Sequence, residues 1–161
     1  MTFDLDRFTS AQDRGDFATA LAELRAGRKQ SHWMWYVFPQ LRGLGSSPLA
    51  VRYGLDGIGE AEAYLRDPVL RTRLHQVTSA VHVQLCERRA KLEVLMGSRT
   101  DALKLVSSMT LFERVARTVR IAEPAGELTE LAERAADVLT AAEAQGYGRC
   151  EFTLRQVRAA R

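Results

Sequence analysis

The segment from Lys29 to Pro48 constrains this chain more than any other, because it carries both tryptophans and one of the three histidines. Side chains of that size dominate whatever core they enter, so the fold must provide one around them. From Ser31 to Phe38 the segment shows no polar face, and periodicity alone does not separate a buried helix from a strand. No partner strand is evident elsewhere, which points to a short buried helix. Pro39 disfavours helical geometry at Phe38, and Gly43 and Gly45 punctuate a loop over Gln40 to Ser47. Loops carried on rigid elements are where sites tend to lie. Ser47 followed by Pro48 reads as an N-cap with proline at the first helical position, starting a short helix through about Tyr53.

The flanking chain reads as helix throughout. Asp4 is the expected cap of a first helix with Leu5, Phe8 and Ala11 at helical spacing, ending near Asp13 to Gly15. Asp16 is the expected cap of a second, where Phe17, Leu21 and Leu24 form a stripe and Gly27 supplies a left-handed stop. Arg25, Arg28 and Lys29 complement its negative end. Glu60 to Arg66 follows as a short helix, and Asp67-Pro68 opens a long one with Leu70, Leu74, Val77, Val81 and Leu85 inward and Arg71, Arg73, Gln76 and Gln84 on the wet side. A turn over Lys91 to Met96 ends at Gly97. Thr100 or Asp101 caps a helix bearing Leu103, Leu105, Val106, Met109 and Phe112, running to about Ile121. Leu128, Leu131, Ala135, Val138, Leu139 and Ala142 mark a last long helix, and Phe152 to Val157 a short terminal one. No stretch alternates strictly and no repeat is visible. The expected fold is all-α, a single domain over residues 1–161 built as an array of short and long helices, with the Pro124 to Gly126 break as the one candidate boundary.

At 161 residues such a domain removes roughly 70% of its unfolded surface from water and needs no staple. A net charge of +3 spread along the chain gives weak support for nucleic-acid binding, so nucleic acid is not the expected partner. Cys86 and Cys150 match no metal spacing, which fits reduced thiols in a cytoplasmic protein, with a single disulfide as the alternative. The longest apolar stretch, Trp33 to Phe38, is far shorter than the ~20 residues of a membrane helix.

Several residues carry chemistry, each with a plainer structural role beside it. His32, next to two indoles, could act as a base near neutrality, or merely donate one hydrogen bond to a carbonyl. His75 and His82 lie seven apart without a companion acid, so neither metal nor cofactor is expected. Trp33 and Trp35 could floor a pocket by stacking, but two residues two apart on a helix point apart, so at most one lines it while the other packs, and the plainer role is core packing for both. Gln40 and Arg42 offer an amide and a donor fork to a carboxylate or phosphate, or else close the loop. The run from Gly43 through Ser46 to Pro48 could present backbone N–H groups to an anion, or cap a helix. Asp101, Lys104 and Ser108 share a helix face and Thr110 lies elsewhere. A lysine there could activate a hydroxyl or bind an anion, against a solvated pair with hydroxyls bonded back to carbonyls. Tyr53 and Tyr64 read as structural.

Taken together, Arg28 to Ser47 with its tryptophan-proline motif, Tyr53-Gly54, Ala63-Tyr64-Leu65, Asp67 to Leu70, Asp101 to Phe112 and the opening Asp4 to Phe8 resemble the bacterial family named domain of unknown function 1810. The resemblance spans about residues 4 to 113. It implies a helical fold and brings no activity with it. Glu113 to Leu139 departs from the family pattern, whereas Gly146 to Val157 is similar to its ending.

These readings converge on a small anionic or nucleotide-like ligand held where the His32 to Gln40 segment meets the Lys104 to Thr110 helix. In a hydrolase or transferase built this way, His32 would be the base, Lys104 and Arg42 would hold the anion, and Ser108 or Thr110 would position the substrate. The rival is an interaction module whose Arg114, Arg117 and Arg120 face binds an acidic protein. The sequence sets no oligomeric state.

Overall fold

Helix follows helix along the described chain, residues 2–122 and 126–160 of a computed structural model, and no strand forms among them. The first helix, α1 (Asp6–Ala11), passes through a π-helical turn at Gln12–Asp16 into α2 (Phe17–Ala26). Gly15 at φ 96° provides the kink, and Gly27 at φ 89° ends α2 in the expected left-handed conformation. Then come α3 (Met34–Val37), α4 (Pro48–Tyr53), α5 (Gly57–Arg66) and α6 (Pro68–His82), the last prolonged by a π-helical turn at Val83–Glu87. The remainder is α7 (Leu92–Met96), α8 (Arg99–Ala122), α9 (Gly126–Ala144) and α10 (Glu151–Ala159).

The longest helix, α8, is the axis of the core. Its Leu105, Met109, Phe112, Val115 and Ala116 are buried, and α5, α7, α9 and α10 pack on it. On the far side, α9 also packs on α6. Polar pairs between those two helices advance together along both chains: Thr72 bonds Glu127 at 3.0 Å, His75 meets Glu130 at 2.7 Å and His82 meets Asp137 at 3.1 Å. That constant offset makes α6 and α9 parallel neighbours. The two histidines therefore do have companion acids, supplied by another helix, which corrects their reading as unpaired. Among the described residues no group of three potential ligands gathers around them, and Cys86 and Cys150 are free thiols.

Other expectations change at helix ends. Asp4 does not cap α1 and Asp16 does not cap α2. Because α2 continues from a helical turn, Asp16 is itself in αR geometry and its carboxylate instead accepts the Tyr36 hydroxyl. Neither Thr100 nor Asp101 caps α8; the Ser98 hydroxyl does, accepting the Asp101 N–H at 3.1 Å. Gln84, expected on the wet side, is buried and donates to the Leu24 and Arg25 carbonyls, closing the C-terminus of α2. Lys29 is buried as well, rather than solvated at that helix end. The Ser47 and Asp67 caps form as expected, accepting from Ala50 and Leu70. Of the expected break at Pro124 to Gly126, Pro124 lies outside the described residues and Gly126 opens α9. Among the described residues no helix is long and apolar enough to cross a membrane.

Candidate functional site

The aromatic segment is held by a carboxylate that no motif announced. Glu23, on α2, accepts four hydrogen bonds: from the Gln30 and Ser31 backbone N–H groups at 3.1 and 3.0 Å, the Ser31 hydroxyl at 2.7 Å and the Trp33 indole N–H at 2.8 Å. Burial acts to raise its pKa, but these bonds, led by the Ser31 N–H, outweigh it and bring the carboxyl down to about 2. Trp33 is thereby fixed in the core, 1% exposed, with its ring tilted against Phe38. Behind it, the Lys29 ammonium pairs with Asp101 at 2.8 Å and lies 4.9 Å from the Trp33 ring centroid. Asp101 also faces Lys104 at 3.8 Å, and the Lys104 ammonium sits 4.4 Å over the Trp35 ring. Two of the chain's three lysines thus flank one aspartate, each against one of the two tryptophans.

Trp33, the non-helical N-cap of α3, packs in the core, whereas Trp35 within α3 lines an opening. That opening is a slit of about 10 Å³ lined by Met34, Trp35, Phe38, Gln40, Tyr53 and Lys104 with Ala50 and Gly54, room for about one water. The Trp35 indole N–H is buried and, among the described residues, has no hydrogen-bond partner. A donor in that condition forgoes about 1–3 kcal/mol, so it is an uncommon feature of a finished core.

A short connection builds the other wall. After Pro39, Leu41 makes an isolated parallel bridge to Leu55, with the Leu55 N–H bonded to the Gln40 carbonyl and the Arg42 N–H to the Leu55 carbonyl, both at 2.9 Å. The contact never extends to a ladder, and it lies beyond Ser31 to Phe38, where the expected short helix forms at Met34–Val37. The bridge fixes Gln40 at the slit and presses Gly54 on Arg42, where a Cβ would come within 2.9 Å of the Arg42 Cα.

The remaining residues singled out from the sequence are dispersed. Arg42 and Ser46 line a separate open hollow of about 710 Å³ with Asp4, Arg7, Arg52, Asp56 and Glu60. Helix α4 divides the two spaces, giving Ala50 and Tyr53 to the slit and Pro48, Val51 and Arg52 to the hollow. In the hollow Arg7 is already committed to Glu60, at 2.7 Å, while Arg42 reaches the Gly54 carbonyl at 3.4 Å. His32 is exposed and lines neither space, so the apolar surround imagined for a base is missing; only its backbone carbonyl is used, by the Tyr36 hydroxyl. Ser108 is fully buried, with its hydroxyl unpartnered, and does not line the slit. Thr110 behaves as the plainer reading had it, donating to the Val106 carbonyl at 2.7 Å, and also accepts the Cys150 N–H at 3.2 Å. Of the nine residues, Trp35, Gln40 and Lys104 come together. Tyr53 joins them at the slit, beyond the structural part assigned to it, while Tyr64 is a core residue.

A family model described as "Protein of unknown function (DUF1810)" matches residues 2–141. Among solved structures, the crystal structure of the conserved hypothetical protein Rv1873 from Mycobacterium tuberculosis is 44% identical, with 95% of each chain covered and a TM-score of 0.76. No curated protein matches the chain. The family match runs through α8 and most of α9, further than the residues 4 to 113 over which the sequence resemblance was read. A helix can keep its inward stripe, here Leu128, Leu131, Ala135 and Val138, while its solvent face changes.

Proposed function

The chain belongs to the DUF1810 family, and from that premise we propose that it acts as a single α-helical domain binding a small anionic ligand through Trp35, Gln40 and Lys104. The observation that carries this is the buried, unpartnered Trp35 indole N–H on a ring that also bears the Lys104 ammonium at 4.4 Å, with the Gln40 amide in the same lining. Three donors of different reach, a fixed N–H, an adjustable amide and a mobile ammonium, suit a carboxylate-bearing group with a flat face for the indole.

The slit is too small for such a ligand with Lys104 in place. Lys104 is only partly buried and shares Asp101 with Lys29, so it can swing from the indole and follow an anion while Asp101 keeps its shorter bond to Lys29. The proposal is binding without turnover by His32, which stands outside the lining.

Thermal denaturation with acetate, malonate and phosphate, repeated on Lys104→Met, tests this reading. Methionine preserves the stem over Trp35 and removes the charge. A ligand at a hundred times its Kd should stabilise the natural protein by about 2.7 kcal/mol, a rise of several degrees, and the variant should lose most of it. A shift of equal size in both proteins, or none with any anion, contradicts the proposal.

A further inference from the structure

A second concavity lies away from the slit, where α10 and the segment leading into it meet α8. Thr110, Glu113, Arg114 and Arg117 follow one another at intervals of three and one along α8 and so form a single face. Across from them stand Arg149, Leu154 and Arg158, and the cup between has a volume of about 400 Å³. Its walls are tied together: the Cys150 N–H bonds the Thr110 hydroxyl at 3.2 Å, and the Ser107 and Thr153 hydroxyls meet at 3.4 Å. The arginines are therefore carried by two elements joined through one buried and one partly buried hydrogen bond.

The charges in the cup do not balance. Four arginines face one carboxylate, Glu113, which is taken by Arg117 at 2.8 Å, while Arg149 turns to Glu143 outside the lining. Among the described residues Arg114 and Arg158 have no carboxylate partner. Like charges held on a concave surface repel one another, and an anion with several oxygens removes that cost while accepting paired N–H bonds from guanidinium forks. Leu154 adds an apolar wall beside the charges.

We propose that this cup binds a phosphorylated small molecule through Arg114, Arg117, Arg149 and Arg158. Its size falls within the usual range for ligand pockets, and the charge is gathered in a hollow rather than laid out as the long basic stripe that tracks a nucleic-acid backbone. Arg120, the third member of the arginine face expected from the sequence, is not part of the lining.

Calorimetric titration with inorganic pyrophosphate, at low and moderate salt, provides the test. Saturable binding should weaken roughly tenfold or more in the double variant Arg114→Gln/Arg158→Gln, and by a smaller factor in each single variant. Neither arginine makes an ion pair among the described residues and their substitution relieves repulsion, so melting temperatures should hold or rise rather than fall, and the exposed Arg28→Gln should bind as the natural protein does. Lys104→Met, run in parallel, separates this site from the slit. Pyrophosphate affinity that follows Lys104→Met and ignores the double variant overturns the cup. So does the absence of saturable binding at 10 mM pyrophosphate (roughly the weakest affinity of interest), or a single-stranded RNA bound through these arginines without it.

Discussion

Glu23 shows how much one side chain can decide when its partners are backbone and indole donors. It fixes the loop that delivers Trp33 to the core, and without it four donors lose their acceptor. Glu23→Gln should cost about 1–3 kcal/mol in chemical denaturation. The pH dependence has a definite sign. The folded carboxyl titrates at about 2, below its ordinary 4.5, so the charged form favours the fold. That contribution is complete above about 4.5 and is lost as pH falls from there toward 2, and the glutamine variant should lack it. Gly54 is a second single-residue constraint. A methyl group there would sit 2.8 Å from the Ala50 carbonyl oxygen and 2.9 Å from the Arg42 Cα, so Gly54→Ala should destabilise by about 1–3 kcal/mol, read as a lowered Tm. At this scale the scarcity of lysine is a sequence signal whose meaning only the structure supplies: among 23 basic residues only three are lysine, and two of those converge on Asp101. Glu23 left no such trace, because its partners belong to a loop whose path only tertiary structure sets.

At the level of elements, caps separate what was legible from what was not. Ser47-Pro48 and Asp67-Pro68 place an acceptor and a fixed φ in adjacent positions, and both helices start where those pairs require. Asp4 and Asp16 are equally good capping residues in isolation, yet Asp4 lies outside the turn that opens α1, and Asp16, just after the Gly15 kink, is in αR geometry with its side chain making no cap hydrogen bond. For α8 the expected caps are Thr100 or Asp101, and Ser98, two residues before the nearer of them, holds the position instead. Ser98→Ala should cost about 1 kcal/mol and Thr100→Ala under 0.5, a difference visible in parallel urea titrations. The π-helical turns at Gln12–Asp16 and Val83–Glu87 were also unreadable, since apolar spacing reports which face is buried and not which carbonyl an N–H chooses.

Across the whole molecule, the helical fold followed from apolar spacing because each stripe needed a neighbour, and α8 serves α5, α7, α9 and α10 through its own buried face. The expected site did not survive intact, and the reason is geometric. Residues adjacent in sequence around Gln40 to Pro48 fall on opposite sides of α4, so Gln40 joins Trp35 and Lys104 while Arg42 and Ser46 face a different hollow. The parallel pairing of α6 with α9 likewise supplies acids to His75 and His82 from 55 residues away. What remains is a proposed site of three donors, one of them a buried indole N–H with no acceptor among the described residues. The two indole N–H groups make it directly observable: Trp33 is bonded to Glu23 and Trp35 is unpartnered. In an ¹⁵N–¹H spectrum assigned with Trp35→Phe, titration with acetate, malonate or phosphate should shift the Trp35 indole resonance downfield in a saturable way and leave that of Trp33 in place. A Trp35 resonance that stays still with all three anions, or that moves only in step with Trp33, would contradict the account.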